Sequence, residues 1–414
     1  MSEEIENVVL ERILRRQEKS NERILKEIGK ILGEIGELTP SEAYTIGQQL
    51  KYGESLQKIV RIISETSNIS EAEIYKMLEA EARKNLELKR VYFEAKKIDF
   101  IPYEKNIALQ NKVREIAIAT LETYRNISRT TGLTFLDING NRVTRGISEA
   151  YNQIVDDAIM NVSTGKETFY EAMKNQLQTI GQAGVQSIEY ESGYHRRIDS
   201  ALRMNLSDGL NQLATAQQQI VGEQFGYNMI QITHHVNAAP DHIDTVDGKQ
   251  FVKLNIIREQ IASGEEKEIK LEDIKENGLT FRCKWYYDFD YINDNLKRPV
   301  STLNCYHQIF TAILGVDRPL YTEEQLKKDK EANEKGFEYN GKHFTNYEGE
   351  QLLRKIELEL RKTRETKLMA KSANDNDLLS QMRQRENNLV SKYYDVLKVS
   401  GLKSRIERAR LLTK

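Results

Sequence analysis

Four of the six histidines, both cysteines and the single tryptophan lie between residues 227 and 315. The densest run is His234-His235-Val236-Asn237-Ala238-Ala239-Pro240-Asp241-His242. Leu303-Asn304-Cys305-Tyr306-His307 follows downstream, with Cys283 between the two runs. Imidazole and thiolate are the usual protein ligands of Zn²⁺, which takes about four of them in a tetrahedron. His235, His242, Cys305 and His307 would supply such a set. A structural zinc would suit a region with little apolar material to hold it together. Against this, Cys-x-His chelates less often than Cys-x-x-Cys, and buried imidazoles are more often plain hydrogen-bonded core or turn groups.

The same residues carry weaker catalytic readings. Paired histidines with an asparagine and a later histidine have a loose likeness to HNH nucleases. Pro240-Asp241 with Asp247-Gly248-Lys249 has a fainter one to PD-D/E-x-K nucleases. In either, carboxylates or imidazoles would hold a metal that polarises a phosphodiester. Neither pattern has its proper spacing. Cys305 and His307 are also a candidate nucleophile pair, but no third orienting group is visible in the sequence. The expectation is a protein that is not an enzyme, with a metal-dependent nuclease or hydrolase as the alternative.

The elements around this cluster are mostly helical. Residues 3–36 carry Val8, Ile13, Ile24, Ile28, Ile31 and Ile35 at roughly helical spacing among Glu, Lys and Arg. Helix-start signals stand at 39–42 and at Ser70-Glu71-Ala72-Glu73. Further helices are expected at 41–66, 71–94, 104–129, 147–161, 167–180, 196–224, 322–334, 348–370 and 376–398. Between them, Thr134-Phe135-Leu136-Asp137-Ile138 followed by Asn139-Gly140 predicts a small hairpin. Strands are expected at 187–190, 227–234 and 279–287. The fold class is therefore mainly α with a small α+β module: a long helical N-terminal half, a short mixed-sheet region and a helical C-terminus. The expected division is a helical region 1–130, a connector 131–185, the α+β module 186–320 and a basic helical region 321–414.

Composition narrows the setting. Only 5 prolines in 414 residues agree with long helices, since proline interrupts them. A net charge of −2 gives no global attraction to nucleic acid or membrane. Two cysteines suit a reducing compartment. The acidic N-terminus lacks an apolar leader, and no apolar run is long enough to span a bilayer. Synthesis in a cytoplasm is expected. Charge is uneven: residues 351–414 carry 16 Lys+Arg against 8 Asp+Glu. Arg354, Lys355, Arg361, Lys362, Arg405 and Arg408 are the candidate contacts to DNA, acting through counterion release. A solvated helix face competes, because no aromatic-plus-basic interleaving accompanies the charge. A non-specific DNA-binding accessory protein is thus a further alternative.

The runs His235 to His242, Gly248-Lys249-Gln250-Phe251 and Asn304-Cys305-Tyr306-His307 together resemble the signature of the Gram-positive phage minor capsid family. That family is distantly similar to the minor head proteins grouped with the phage Mu F protein. Its pattern is close to His-x-x-Ala-Arg-Pro-x-His, a Gly-Lys-x-Phe/Tyr and a later Asn-Cys-x-His. The one departure is Ala239, where the family usually has arginine, and this weakens a catalytic role. The resemblance implies a virion or procapsid protein that binds the portal and other head proteins inside the head. It also implies a part in head assembly, DNA packaging or ejection.

Overall fold

The long helices follow from apolar residues repeating every three or four positions with charge between them. The computed structural model describes residues 8–36, 46–67, 71–90, 93–94, 97–163, 168–187, 196–263, 274–275, 278–281, 284–302, 305 and 307–412. The start signal at 39–42, Ser70, strand residues 188–190, Cys283, Asn304 and Tyr306 lie outside them.

The chain opens with α1 (Val8–Gly36), α2 (Ile46–Ser67), α3 (Glu71–Leu88) and α4 (Ile107–Arg129). Asn106 sets the start of α4, its side chain accepting from the Leu109 amide at 3.0 Å. The expected hairpin follows as β1 (Thr131–Leu136) and β2 (Arg142–Gly146). Asp137 holds its turn by accepting from the Asn139 and Asn141 amides, and Gly140 supplies the positive φ of +81°. Next come α5 (Ile147–Ser163), α6 (Phe169–Ala183), β3 (Val185–Ser187), β4 (Arg196–Arg197) and α7 (Ile198–Gln224). The sheet-bearing stretch contains β5 (Met229–Ile232), α8 (Pro240–Ile243), β6 (Gln250–Val252), α9 (Leu254–Ser263), β7 (Ile274–Lys275), β8 (Gly278–Phe281), β9 (Lys284–Tyr287), α10 (Phe289–Asp294) and β10 (Ile309–Ala312). The chain continues through α11 (Glu323–Lys335), β11 (Phe337–Tyr339), β12 (Lys342–Phe344), α12 (Asn346–Ser372) and α13 (Asn376–Ser400). The fold is mainly α with a small α+β module.

These elements form two compact units, each drawn from separated stretches. One comprises 1–70, 121–203 and 349–414; the other comprises 71–120 and 204–348. In the first, α1 packs on α2 and α6, and the sheet β2-β1-β3-β4 packs on α5 and α6. Gly29 and Gly33 of α1 let its backbone approach the end of α12 and the turn after it; a Cβ on Gly29 would lie 2.8 Å from the Met369 carbonyl oxygen. The core also buries a charge cluster. Glu365 of α12 accepts from Arg197 and from Arg361, and Arg361 also reaches Glu18 at 3.4 Å.

In the second unit the organising feature is an antiparallel sheet in the order β10-β5-β6. Ile309 pairs with Ile232, and Ile230 with Phe251. Every residue of β5 is buried, because both faces are covered. Ile230, Ile232, Phe251 and Ile309 join Val246, Phe289 and Val300 in one cluster; Met229, Val252, Ala312 and Leu314 join Ile257 in another. α7 lies close to β10, where Thr311 donates to the Gln218 carbonyl at 3.2 Å and Gly222 leaves room for the Thr311 side chain. The chain leaving β5 and the chain entering β10 therefore emerge side by side.

Candidate functional site

The site occupies the excursion between β5 and β6 and the turn that precedes β10. The excursion is closed at its base by Ile232 N donating to Lys249 O and Gly248 N donating to Thr233 O. Ala239 and Pro240 begin the short α8 with extended backbone followed by proline at its first position. This delivers His242 to the interior, where it is wholly buried. Gly248 has φ +68°, and a Cβ there would collide with the Leu326 side chain. Only glycine lets the chain reverse here and point Asp247 inward.

The second segment is held as tightly. The Val300 amide donates to Asn293 Oδ1 at 2.8 Å, and Ser301 sits at φ +64°. Ser301 Oγ donates to the His307 carbonyl at 2.9 Å, and the Cys305 amide to the Thr302 carbonyl at 2.8 Å. From α7, Asn211 Nδ2 donates to the Cys305 carbonyl at 3.3 Å. Cys305 and His307 are both buried.

Of the four expected ligands, three converge. The ligand atoms of His242, Cys305 and His307 lie within 4.8 Å of one another. Nδ1 of His242 is 3.3 Å from Nδ1 of His307; Cys305 Sγ is 3.6 Å from the first and 3.4 Å from the second. His235 stays outside this set and packs edge-on against the His307 ring, centroids 4.6 Å apart.

The remaining ring nitrogens are fixed by acceptors. His242 Nε2 donates to the Arg298 carbonyl at 2.7 Å, and His307 Nε2 donates to Asp247 Oδ1 at 2.9 Å. Asp247 also accepts from the His235 amide at 2.8 Å and from His234 Nδ1 at 2.6 Å. His234 Nε2 faces Asp329 of α11 at 3.1 Å. Both nitrogens of His234 therefore face carboxylates, an arrangement satisfied in full only by the imidazolium. Its hydrogen bond to Asp247 outweighs burial and raises its pKa above the ordinary histidine value.

Electrostatics polarise the cluster. Burial disfavours the Asp247 carboxylate, but the donors His234, His307 and the His235 amide more than offset it and hold its pKa at about 2. Burial also opposes ionisation of Cys305, yet its contacts with the His242 and His307 rings bring the thiol down to about 6. Burial lowers His307, and its contacts with Asp247 and Cys305 overcome this and lift it to about 9. Without a metal, these shifts favour a Cys305 thiolate that accepts from the His307 imidazolium, which in turn donates to Asp247.

Asp247 is thus the orienting group that the Cys305/His307 pair lacks in the sequence. Asp247 entered the sequence reading only through the faint PD-D/E-x-K likeness of Asp247-Gly248-Lys249, as a metal-holding carboxylate and not as a partner of His307. His234 was named only as one of the paired histidines; Asp329 and the Arg298 carbonyl were missed, since a backbone carbonyl carries no residue-type signal. Arg298 also brings its guanidinium to this turn, 3.0 Å from Asp241.

The basic candidates fall in different settings. Arg361 is buried and committed to Glu365 and Glu18. Lys362 pairs with Glu359 at 2.9 Å, and exposed Arg354 lies 3.8 Å from Glu350. Lys355 and Arg408 are exposed and Arg405 half-buried.

A family model described as phage minor capsid protein 2 matches residues 11–397. The chain belongs to the phage minor capsid protein 2 family. No curated protein and no solved structure matches it. As a phage minor capsid protein it is a structural component of the virion, and its partners include other virion proteins. The match takes in the His/Cys site and nearly all of both units, so the helical ends belong to the family's common plan as much as the module does. No helix among the described residues is long and apolar enough to cross a membrane.

Proposed function

We propose that this minor capsid protein binds the portal inside the head of a phage with a Gram-positive host, and assists head assembly, DNA packaging or ejection. The observation that carries the reading is the family match across 11–397. Long helices with wide charged faces suit it, because they offer extended surfaces to neighbouring subunits. Cross-linking mass spectrometry on purified procapsids is the test. Cross-links from this chain to the portal protein are expected. Recovery of the chain only from tails, or from none of the particles, would end the proposal.

Packaged DNA is a second partner, favoured by the exposed charges of Arg354, Lys355 and Arg408. The contact is narrower than the charge count of the C-terminal segment, because Arg361 and Lys362 already meet carboxylates. Replacing Arg354, Lys355 and Arg408 with glutamine leaves the α12 core untouched. Loss of salt-dependent DNA binding in that variant supports the contact; unchanged binding refutes it.

A further inference from the structure

We propose that His242 Nδ1, Cys305 Sγ and His307 Nδ1 bind one Zn²⁺ ion that fastens the β5–β6 excursion to the turn before β10. This goes beyond the virion role and stands or falls separately from it. The first argument is metric. Zinc bonds of about 2.0–2.1 Å to nitrogen and about 2.3 Å to sulfur require tetrahedral edges of about 3.3–3.4 Å between nitrogens and about 3.5–3.6 Å between nitrogen and sulfur. The three separations here are 3.3, 3.4 and 3.6 Å.

The second argument concerns protons. Arg298 O and the Asp247 carboxylate can only accept, so Nε2 of both rings carries hydrogen. In the neutral rings both Nδ1 lone pairs then face one another and the sulfur. A proton on His307 Nδ1 relieves their repulsion at 3.3 Å, and a cation that replaces this proton does the same. An imidazole whose other nitrogen donates to a carboxylate or a backbone carbonyl is also the usual setting of a metal-ligating histidine. Binding would displace the proton shared by Cys305 and His307 and keep the thiolate.

The third argument is need and selectivity. The strands here have only three or four residues each, so an ion would add a tie between the two site segments beyond the β5–β10 pairing and the Arg298–Asp241 ion pair. Two imidazoles and a thiolate favour zinc over magnesium or calcium, which prefer oxygen. The three residues supply three corners of a four-cornered site.

The full chain, purified after growth in zinc-supplemented medium, should contain one zinc per chain by elemental analysis. Chelation should lower its thermal midpoint. Cobalt substituted into the wild type should give a thiolate-to-cobalt absorption band, a readout that does not depend on whether a variant folds. Cys305→Ser should abolish that band. Asp247→Asn, which touches no metal, should weaken zinc binding about 10–100-fold by loosening the His307 ring. His235→Ala should retain the ion. Zinc well below one per chain after reconstitution, with no cobalt–thiolate band, would overturn the proposal and leave the thiolate–imidazolium pair. Copper in place of zinc would overturn the choice of metal, and loss of the ion in His235→Ala would overturn the three-residue set.

Discussion

Each unit buries a carboxylate that collects donors, and the two do so to different ends. Glu365 in the first unit accepts from Arg197 and Arg361, cationic forks whose hydrogen bonds bind separated segments together. Asp247 in the second accepts from two imidazoles and an amide. An imidazole has two nitrogens, so anchoring one aims the other. The Glu365 cluster ends in itself, whereas the Asp247 cluster leaves His307 Nδ1 directed at Cys305 and His242. The residue type of the donor, more than burial, separates a fastening from a site.

The sharpest way to break this contrast is Glu365→Ala. It leaves two buried guanidiniums short of a carboxylate and should cost about 3–5 kcal/mol in urea unfolding. A cost near zero would remove the fastening half of the comparison. Gly33→Ala comes next. Its Cβ would collide with the Ala373 backbone, and forcing α1 away should cost about 1–3 kcal/mol, read as a lower thermal midpoint.

A smaller effect, of opposite sign, is expected at Lys89. Its Nζ is buried with no hydrogen-bond partner among the described residues, and burial holds its pKa down to about 8 from 10.5. Between those values the unfolded chain binds more protons, so stability rises with pH across the window. Lys89→Met should therefore stabilise the protein at pH 7. The gain should shrink above pH 8 and vanish by pH 10.5 in melts run against pH.

The smallest effect belongs to His234. Its raised pKa means that its clip between Asp247 and Asp329 is fully formed below pH 6.5 and weakens as pH rises through the raised value. Amide exchange of α11 should quicken over that range. His234→Asn should flatten the response; an unchanged profile would show that another group carries it.

Helices and the hairpin were legible because their signals are local: apolar spacing along α1, Asn139-Gly140 at the turn, and alternation along β5. The charge count of the basic tail does not say which cations are exposed and which are buried against carboxylates. Arg361 and Glu365 are an i,i+4 pair that sequence can suggest, but Glu18 lies far away in the chain. At the site, residue types pointed to His242, Cys305 and His307. They also put His235 in the set, which the structure does not, since neighbours on an extended segment face opposite ways and the sequence does not say which way is in.

The sequence by itself determined the mainly helical character with a small α+β module and marked the His/Cys-rich stretch, because propensity, periodicity and donor chemistry are properties of short stretches. Only the tertiary structure decided which separated stretches share a core. It also decided that Asp247 and the Arg298 carbonyl fix the ring tautomers, and that three of the four candidate ligands converge while His235 does not. Those outcomes depend on where β5, β6 and β10 place their ends, and strand pairing between distant segments is set by the packing of the whole unit.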